Sequence, residues 1–186
     1  MSFDKLHSAM HDDRVRVTTK PGTAKAHRLA PDLSVQVPAE VQGTVEDVLV
    51  SLTIDVVNGR LGCTRLEVRA PTGDVVTGTA LRGIPVASIV RTAAGSLVWQ
   101  TVNREGGYVT NVPYRPPADI DTSAGPTNEA LQFVAASYAL AYALGEPPAK
   151  AVERDLGLAT STAGRWIRLA RERGYLDISA DKGRRA

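Results

Sequence analysis

The chain has 186 residues, enough for one ordinary domain or two small ones, and its 43% hydrophobic but only 5% aromatic content points to a packed, aliphatic core. A single cysteine, Cys63, excludes an intrachain disulfide and fits a reducing compartment. The net charge of +2 is too small for a polycation that coats nucleic acid, so any electrostatic partner must be met by a local patch.

In chain order, "MSFDKLHSAMHDDR" lacks the apolar stretch of a secretion signal, so a cytoplasmic protein is expected. Residues 1–40 show no clear period and read as a poorly defined arm, with "RVRVTT" as a short strand. An α+β module is expected over 41–112. Its first firm element is "DVLVSLTIDVV", where Val48, Val50, Leu52, Ile54 and Val56 alternate with other residues at the period of a half-buried strand. Asn58-Gly59 marks a hairpin. A two-residue loop would set Leu52 opposite Arg65 and Val50 opposite Glu67, charge against an apolar face. A three-residue loop, or a bulge at Gly62, sets Leu52 against Leu66 and is preferred. A third strand is read in "VVTGTALR", after the turn "APTGD". "IPVASIVRTAAG" reads as a short helix with Pro85 in its first turn and Gly95 as its stop. "SLVWQTV" and "YVTNV", on either side of "NREGG", read as a second hairpin; "VASIVRTAAGSLVWQTV" as one interrupted helix is the alternative.

"PYRPPADIDTSAGPT", residues 113–127, has four prolines and no period, and reads as a linker. A helical domain is expected over 128–186. Thr127 is placed to cap its first helix, with Glu129 in the first turn. That helix is apolar on two sides and must bury both. The run "LQFVAASYALAYALG" is too short and too rich in Ala and Ser to span a bilayer, so no membrane contact is expected. Gly145 ends the helix. Pro147 and Pro148 then open a short second one, Gly157 supplies a tight turn, and Leu158 plugs it.

The last helix, in "ATSTAGRWIRLARERG", is where charge is focused: residues 160–173 hold Arg165, Arg168, Arg171 and Arg173 against Glu172 alone. With Ser161 at the origin and about 100° per residue, Ala163, Trp166, Ile167 and Ala170 cluster between about 140° and 240°. Ser161, Arg165, Arg168 and Glu172 lie within about 40° of the opposite direction. One face is small-plus-aromatic core. The other carries hydroxyl and guanidinium groups, which bond base edges and phosphates. A solvated surface helix has the same pattern. What favours a functional face is the order of short helix, Gly turn, apolar plug and basic helix at helix-turn-helix spacing.

On Leu156, Gly157, Leu158, Ser161, Thr162, Trp166, Ile167 and Gly174, the segment resembles the C-terminal helix-turn-helix of DNA-binding proteins common in actinobacteria, their phages and mobile elements. The resemblance covers roughly 60 residues well. It implies a DNA-binding, often regulatory protein in which Thr160, Ser161, Thr162, Arg165 and Arg168 read the duplex. Two positions depart from the pattern. Ala159 stands where the family has a capping Ser, which shifts the expected cap to Thr160. Glu153 stands where a small residue lets the helices cross closely; it is expected either to swing outward onto a neighbour or to open the crossing.

After Gly174, "YLDISADKGRRA" reads as a short strand or half of a rudimentary wing. Its end, with Arg184 and Arg185, reads as an arm to phosphate or minor groove, or as a frayed basic tail. Arg171 and Arg173 are assigned to phosphate.

The whole is therefore expected to be an N-terminal antiparallel β-meander with a short helix, joined to a three-helix helix-turn-helix. The expected protein is a homodimeric transcription regulator that binds double-stranded DNA, with the N-terminal module serving dimerisation, a protein partner or a ligand. The alternative is a protein–protein adaptor, such as a phage accessory protein. No enzyme activity, cofactor or metal is expected. His7 and His11, four apart beside Asp12 and Asp13, are the nearest approach to a metal site.

Overall fold

The computed structural model describes residues 15–19, 24–45, 47–103, 109–117 and 120–177. Within them the chain is mixed α+β, with two antiparallel sheets and five helices. It divides into two compact units. One takes the described residues up to His27, then Val35–Val57 and Leu61–Val98. The other takes Arg28–Ser34, Asn58–Arg60 and the described residues from Trp99 onward.

The first sheet runs β1-β4-β5-β6, with β1 Val15–Thr19, β4 Ala39–Val45, β5 Val48–Val57 and β6 Arg60–Arg69. The strand expected in "RVRVTT" is β1. The alternation read in β5 holds for Val48, Val50, Leu52 and Ile54, which are all buried, and lapses at half-buried Val56. In β4, which pairs antiparallel with β5 and sets Val41 against Leu52, Ala39 and Val41 add to the same apolar layer.

The β5–β6 turn corrects the sequence reading. It has two residues, Asn58 and Gly59, both at positive φ (53° and 75°), and β6 starts at Arg60. Thr64 accordingly donates its hydroxyl to the carbonyl of Thr53 at 3.3 Å. This is the register that sets charge beside the apolar face. It is tolerated because β6 is the last strand of its sheet. Arg65, Glu67 and Arg69 neutralise one another along it, and Leu66 stays exposed.

Two further corrections concern the segment after β6. "VVTGTALR" is not a strand. Val75 and Val76 are exposed, and Thr77 instead accepts a hydrogen bond from the Ala80 amide to cap a short helix, α1 (Gly78–Gly83). The next helix, α2 (Val86–Leu97), is present as expected, but Pro85 stands at its N-cap, not in its first turn, and the helix runs past Gly95. Continuing it buries Leu97, and the Val98 amide closes it on the Ala94 carbonyl.

The second sheet runs β2-β3-β7-β8: β2 Lys25–Ala30, β3 Leu33–Val37, β7 Val98–Asn103 and β8 Val109–Pro113. The expected hairpin is present, with Trp99 opposite Pro113 and Asn103 opposite Val109. Among the described residues up to position 40 there are thus three strands and the start of a fourth. The clearest is β3, where Leu33, Val35 and Val37 are buried alternately.

Three helices follow: α3 (Asn128–Ala143), α4 (Pro148–Leu156) and α5 (Thr160–Glu172). Thr127 caps α3 by accepting from the Ala130 amide, and Glu129 stands in its first turn. Leu131, Val134, Ala135 and Tyr138 of α3 share one core with Val152 and Leu156 of α4 and with Ala163, Trp166, Ile167 and Ala170 of α5. The proline-rich stretch lies inside the second unit. Tyr114 is buried there, and Ile120 packs against the helical core. Burial raises the Tyr114 phenol well above its ordinary range, and the Asp155 charge adds to this.

Candidate nucleic-acid interface

Alpha-helix α4 ends because Gly157 turns left-handed at φ 63°, letting the amides of Gly157 and Leu158 both bond the Glu153 carbonyl. Leu158 then packs against the helical core. Only Gly157, Leu158 and Ala159 separate α4 from α5.

The start of α5 corrects the expected cap. Ala159, not Thr160, is the capping residue, because its carbonyl accepts the first helical bond from Ala163 at 2.9 Å. Ala has no side-chain acceptor, so the helix begins without a side-chain cap. Its first-turn amides, at exposed Thr160 and Ser161 and half-buried Thr162, stand at the positive end of the helix dipole. At the other end Gly174, at φ 76°, lets the Tyr175 amide return to the Ala170 carbonyl, and Leu176 drops into the core.

Between these ends the helix divides as the wheel requires. Ala163, Trp166, Ile167 and Ala170 are at most 5% exposed, while Ser161, Arg165, Arg168 and Glu172 are exposed. The four arginines differ in their partners. Arg165 has no hydrogen-bond or ion-pair partner among the described residues. Arg168 reaches Glu172, one turn on, at 3.5 Å. Arg171 lies over the Tyr138 ring, 5.0 Å from its centroid, and Arg173 donates to the Asn128 side chain at 2.8 Å. Tyr138 and Asn128 were not anticipated. Both lie on α3, and no local spacing links them to α5.

Glu153 finds a neighbour, as the first of its two expected courses had it, but does not swing outward: its side chain is only 16% exposed. Its side chain turns to Lys150 at 2.7 Å, three residues back on α4. The close packing falls to Ala151 and Val152 instead, both essentially inaccessible. Beside them Asp155 accepts from Ser137 at 2.6 Å and from Arg154 at 2.8 Å, pinning α4 to α3 with a satisfied polar group. Ile178, Arg184, Arg185 and the wing or arm built on them lie outside the described residues, as do His7 and His11. Among the described residues no cluster of three or more His, Cys, Asp or Glu could hold a metal, and no helix is long and apolar enough to cross a membrane.

No family model, no curated protein and no solved structure matches this chain. The likeness to actinobacterial helix-turn-helix proteins therefore rests on the residues quoted for it.

Proposed function

We propose that the protein binds double-stranded DNA in a sequence-specific way and regulates transcription. In this reading α4, the Gly157 turn and α5 form a helix-turn-helix, and α5 enters the major groove. The observation that carries it is the division of α5. The side chains that anchor the helix are buried, and its exposed face is mainly hydroxyl and guanidinium, with Glu172 the one acid among them and Arg165 uncommitted to any described partner. Arg165 and Arg168 suit guanine O6 and N7, Thr160, Ser161 and Thr162 suit bases or phosphates, and the uncapped first turn suits a phosphate. Arg171 and Arg173, steadied by Tyr138 and Asn128, suit the backbone on the flank. As a homodimer the protein would address half-sites about 34 Å apart, or multiples of that spacing.

The adaptor reading drew on the two apolar sides of α3. Eleven of that helix's 16 residues are buried within the chain itself, so this feature no longer calls for a partner. The test is a salt series with the full chain on random-sequence duplexes, followed by selection of preferred sites. Binding is expected at low salt, falling steeply as salt rises. Absence of binding at low salt ends the proposal.

A further inference from the structure

We propose that β6 is the seam of a homodimer: two copies pair antiparallel along it with Leu66 on the twofold axis, joining their sheets into one. The paired residues of the seam lie in the first unit, and the seam does not depend on DNA binding.

Strand β6 is ten residues long and stands last in the order β1-β4-β5-β6. Among the described residues its far edge has no backbone hydrogen-bond partner. An edge of this length is a template for another strand. Which groups it offers follows from the turn. A two-residue turn with both residues at positive φ closes on a hydrogen-bonded pair, here Val57 and Arg60. Gly62, Thr64, Leu66 and Val68 therefore direct their amides and carbonyls toward β5. Leu61, Cys63, Arg65, Glu67 and Arg69 direct theirs to the open edge. The Thr64 hydroxyl on the Thr53 carbonyl agrees with this register.

A second β6 must set open-edge residues against open-edge residues, so the axis passes through a residue, not between two. Charge then chooses among the residues. An axis at Arg65 or Glu67 sets that residue against its own copy, and the Glu67 axis also sets Arg65 against Arg69. An axis at Leu66 sets Arg65 opposite Glu67 of the second copy, and Glu67 opposite its Arg65. An axis at Val68 also sets unlike charges together, but its overlap is confined to the strand's last residues. The Leu66 axis pairs residues 63–69 of the strand with themselves.

The other face agrees. Leu66 is 41% exposed, and at this axis it meets Leu66 of the second copy at a non-hydrogen-bonded position, where side chains approach most closely. Leu49, 57% exposed on the neighbouring strand, extends the apolar strip. At present Glu67 is held by Arg69 at 2.7 Å and Arg65 at 3.4 Å along its own strand, which lowers its carboxyl pKa through the Arg69 bond first. Such exposed pairs contribute little to the monomer and exchange readily for a cross-strand pair.

The test is sedimentation of the full chain over a concentration series, without DNA. A dimer is expected. Arg65→Glu, which opposes like charges twice across the seam, should weaken it about tenfold. The swap Arg65→Glu with Glu67→Arg should restore it. In a Cys63→Ser background, Leu66→Cys should form a disulfide-linked dimer under mild oxidation, and this decides the matter should Arg65→Glu fail to fold. A wild-type chain that stays monomeric, a dimer indifferent to Arg65→Glu, a swap that does not restore, or a dimer that does not cross-link at residue 66 each overturns the proposal.

Discussion

The helices α3 and α5 are near neighbours in length and share one core, yet they use their surfaces in opposite ways. Eleven of 16 residues are buried in α3 and four of 13 in α5. Helix α3 is apolar on two sides and exposes only Asn128, Glu129 and Gln132, all in its first turns. Helix α5 spends only Ala163, Trp166, Ile167 and Ala170 on holding its place. Under the proposed function, stability and recognition would lie on separable sets of residues in α5, whereas a change in α3 would mostly read out as stability.

The largest effect is expected at the anchor. Trp166→Ala should cost about 3–5 kcal/mol of stability by leaving a cavity among Ala135, Val152 and their neighbours in the helical core. Denaturant unfolding measures it. A loss below about 1 kcal/mol would mean that α5 is not held by this face. Next comes the reading face. Arg165→Ala should leave stability within about 0.5 kcal/mol of the parent, since the side chain is exposed and unpartnered. It should cost about 1–3 kcal/mol of binding to the preferred site and relax its base preference. Equal binding of parent and variant to every duplex would remove Arg165 from the reading face. Arg171→Ala and Arg173→Ala should instead weaken binding to all sequences alike.

How much of this was legible beforehand varies with the range of the interactions involved. The faces of α5 follow from its own period and from Gly157 and Gly174, so the wheel alone separates Trp166 from Arg165. The capping of α3 by Thr127 is equally local. What failed was decided elsewhere in the chain. An apolar partner for Leu52 would require the longer β5–β6 loop, but β6 is an edge strand and Arg65 has Glu67 beside it on the same strand. Val75 and Val76 carried a strand signal with no neighbouring strand to satisfy, and Thr77 turned the segment into a helix. The alternation of Leu33, Val35 and Val37 was present but short, and it was submerged in a stretch dominated by charge and proline. The partners of Arg171 and Arg173, on α3, arise only from tertiary packing.

A smaller effect should appear at the start of α5. Ala159→Ser places a side-chain acceptor beside amides that lack a side-chain cap, and should stabilise the fold by about 1 kcal/mol. The midpoint of denaturant unfolding should rise with its slope unchanged. No gain would indicate that residue 159 is not the cap and that the helix starts elsewhere.

The smallest effect on stability, and the most discriminating for function, is expected at Glu172. It is the one acid on the exposed face of α5, and its partner Arg168 lies four residues before it. A pair of this kind with the base first is the weaker orientation, and an acid in the last turn of a helix faces the negative end of the dipole. These two terms nearly cancel, so Glu172→Gln should change stability by no more than about 0.5 kcal/mol. For DNA the terms add instead. The variant releases Arg168 and removes a negative charge from the face turned to phosphate, so affinity should rise at low salt and the gain should shrink as salt screens it. A fall in affinity confined to particular sequences would give Glu172 a different part, accepting a hydrogen bond from cytosine N4 while steering Arg168. Affinity unchanged for every sequence and at every salt concentration would leave the outer face of α5 without a role in binding, and the contrast with α3 would then be one of solvation alone.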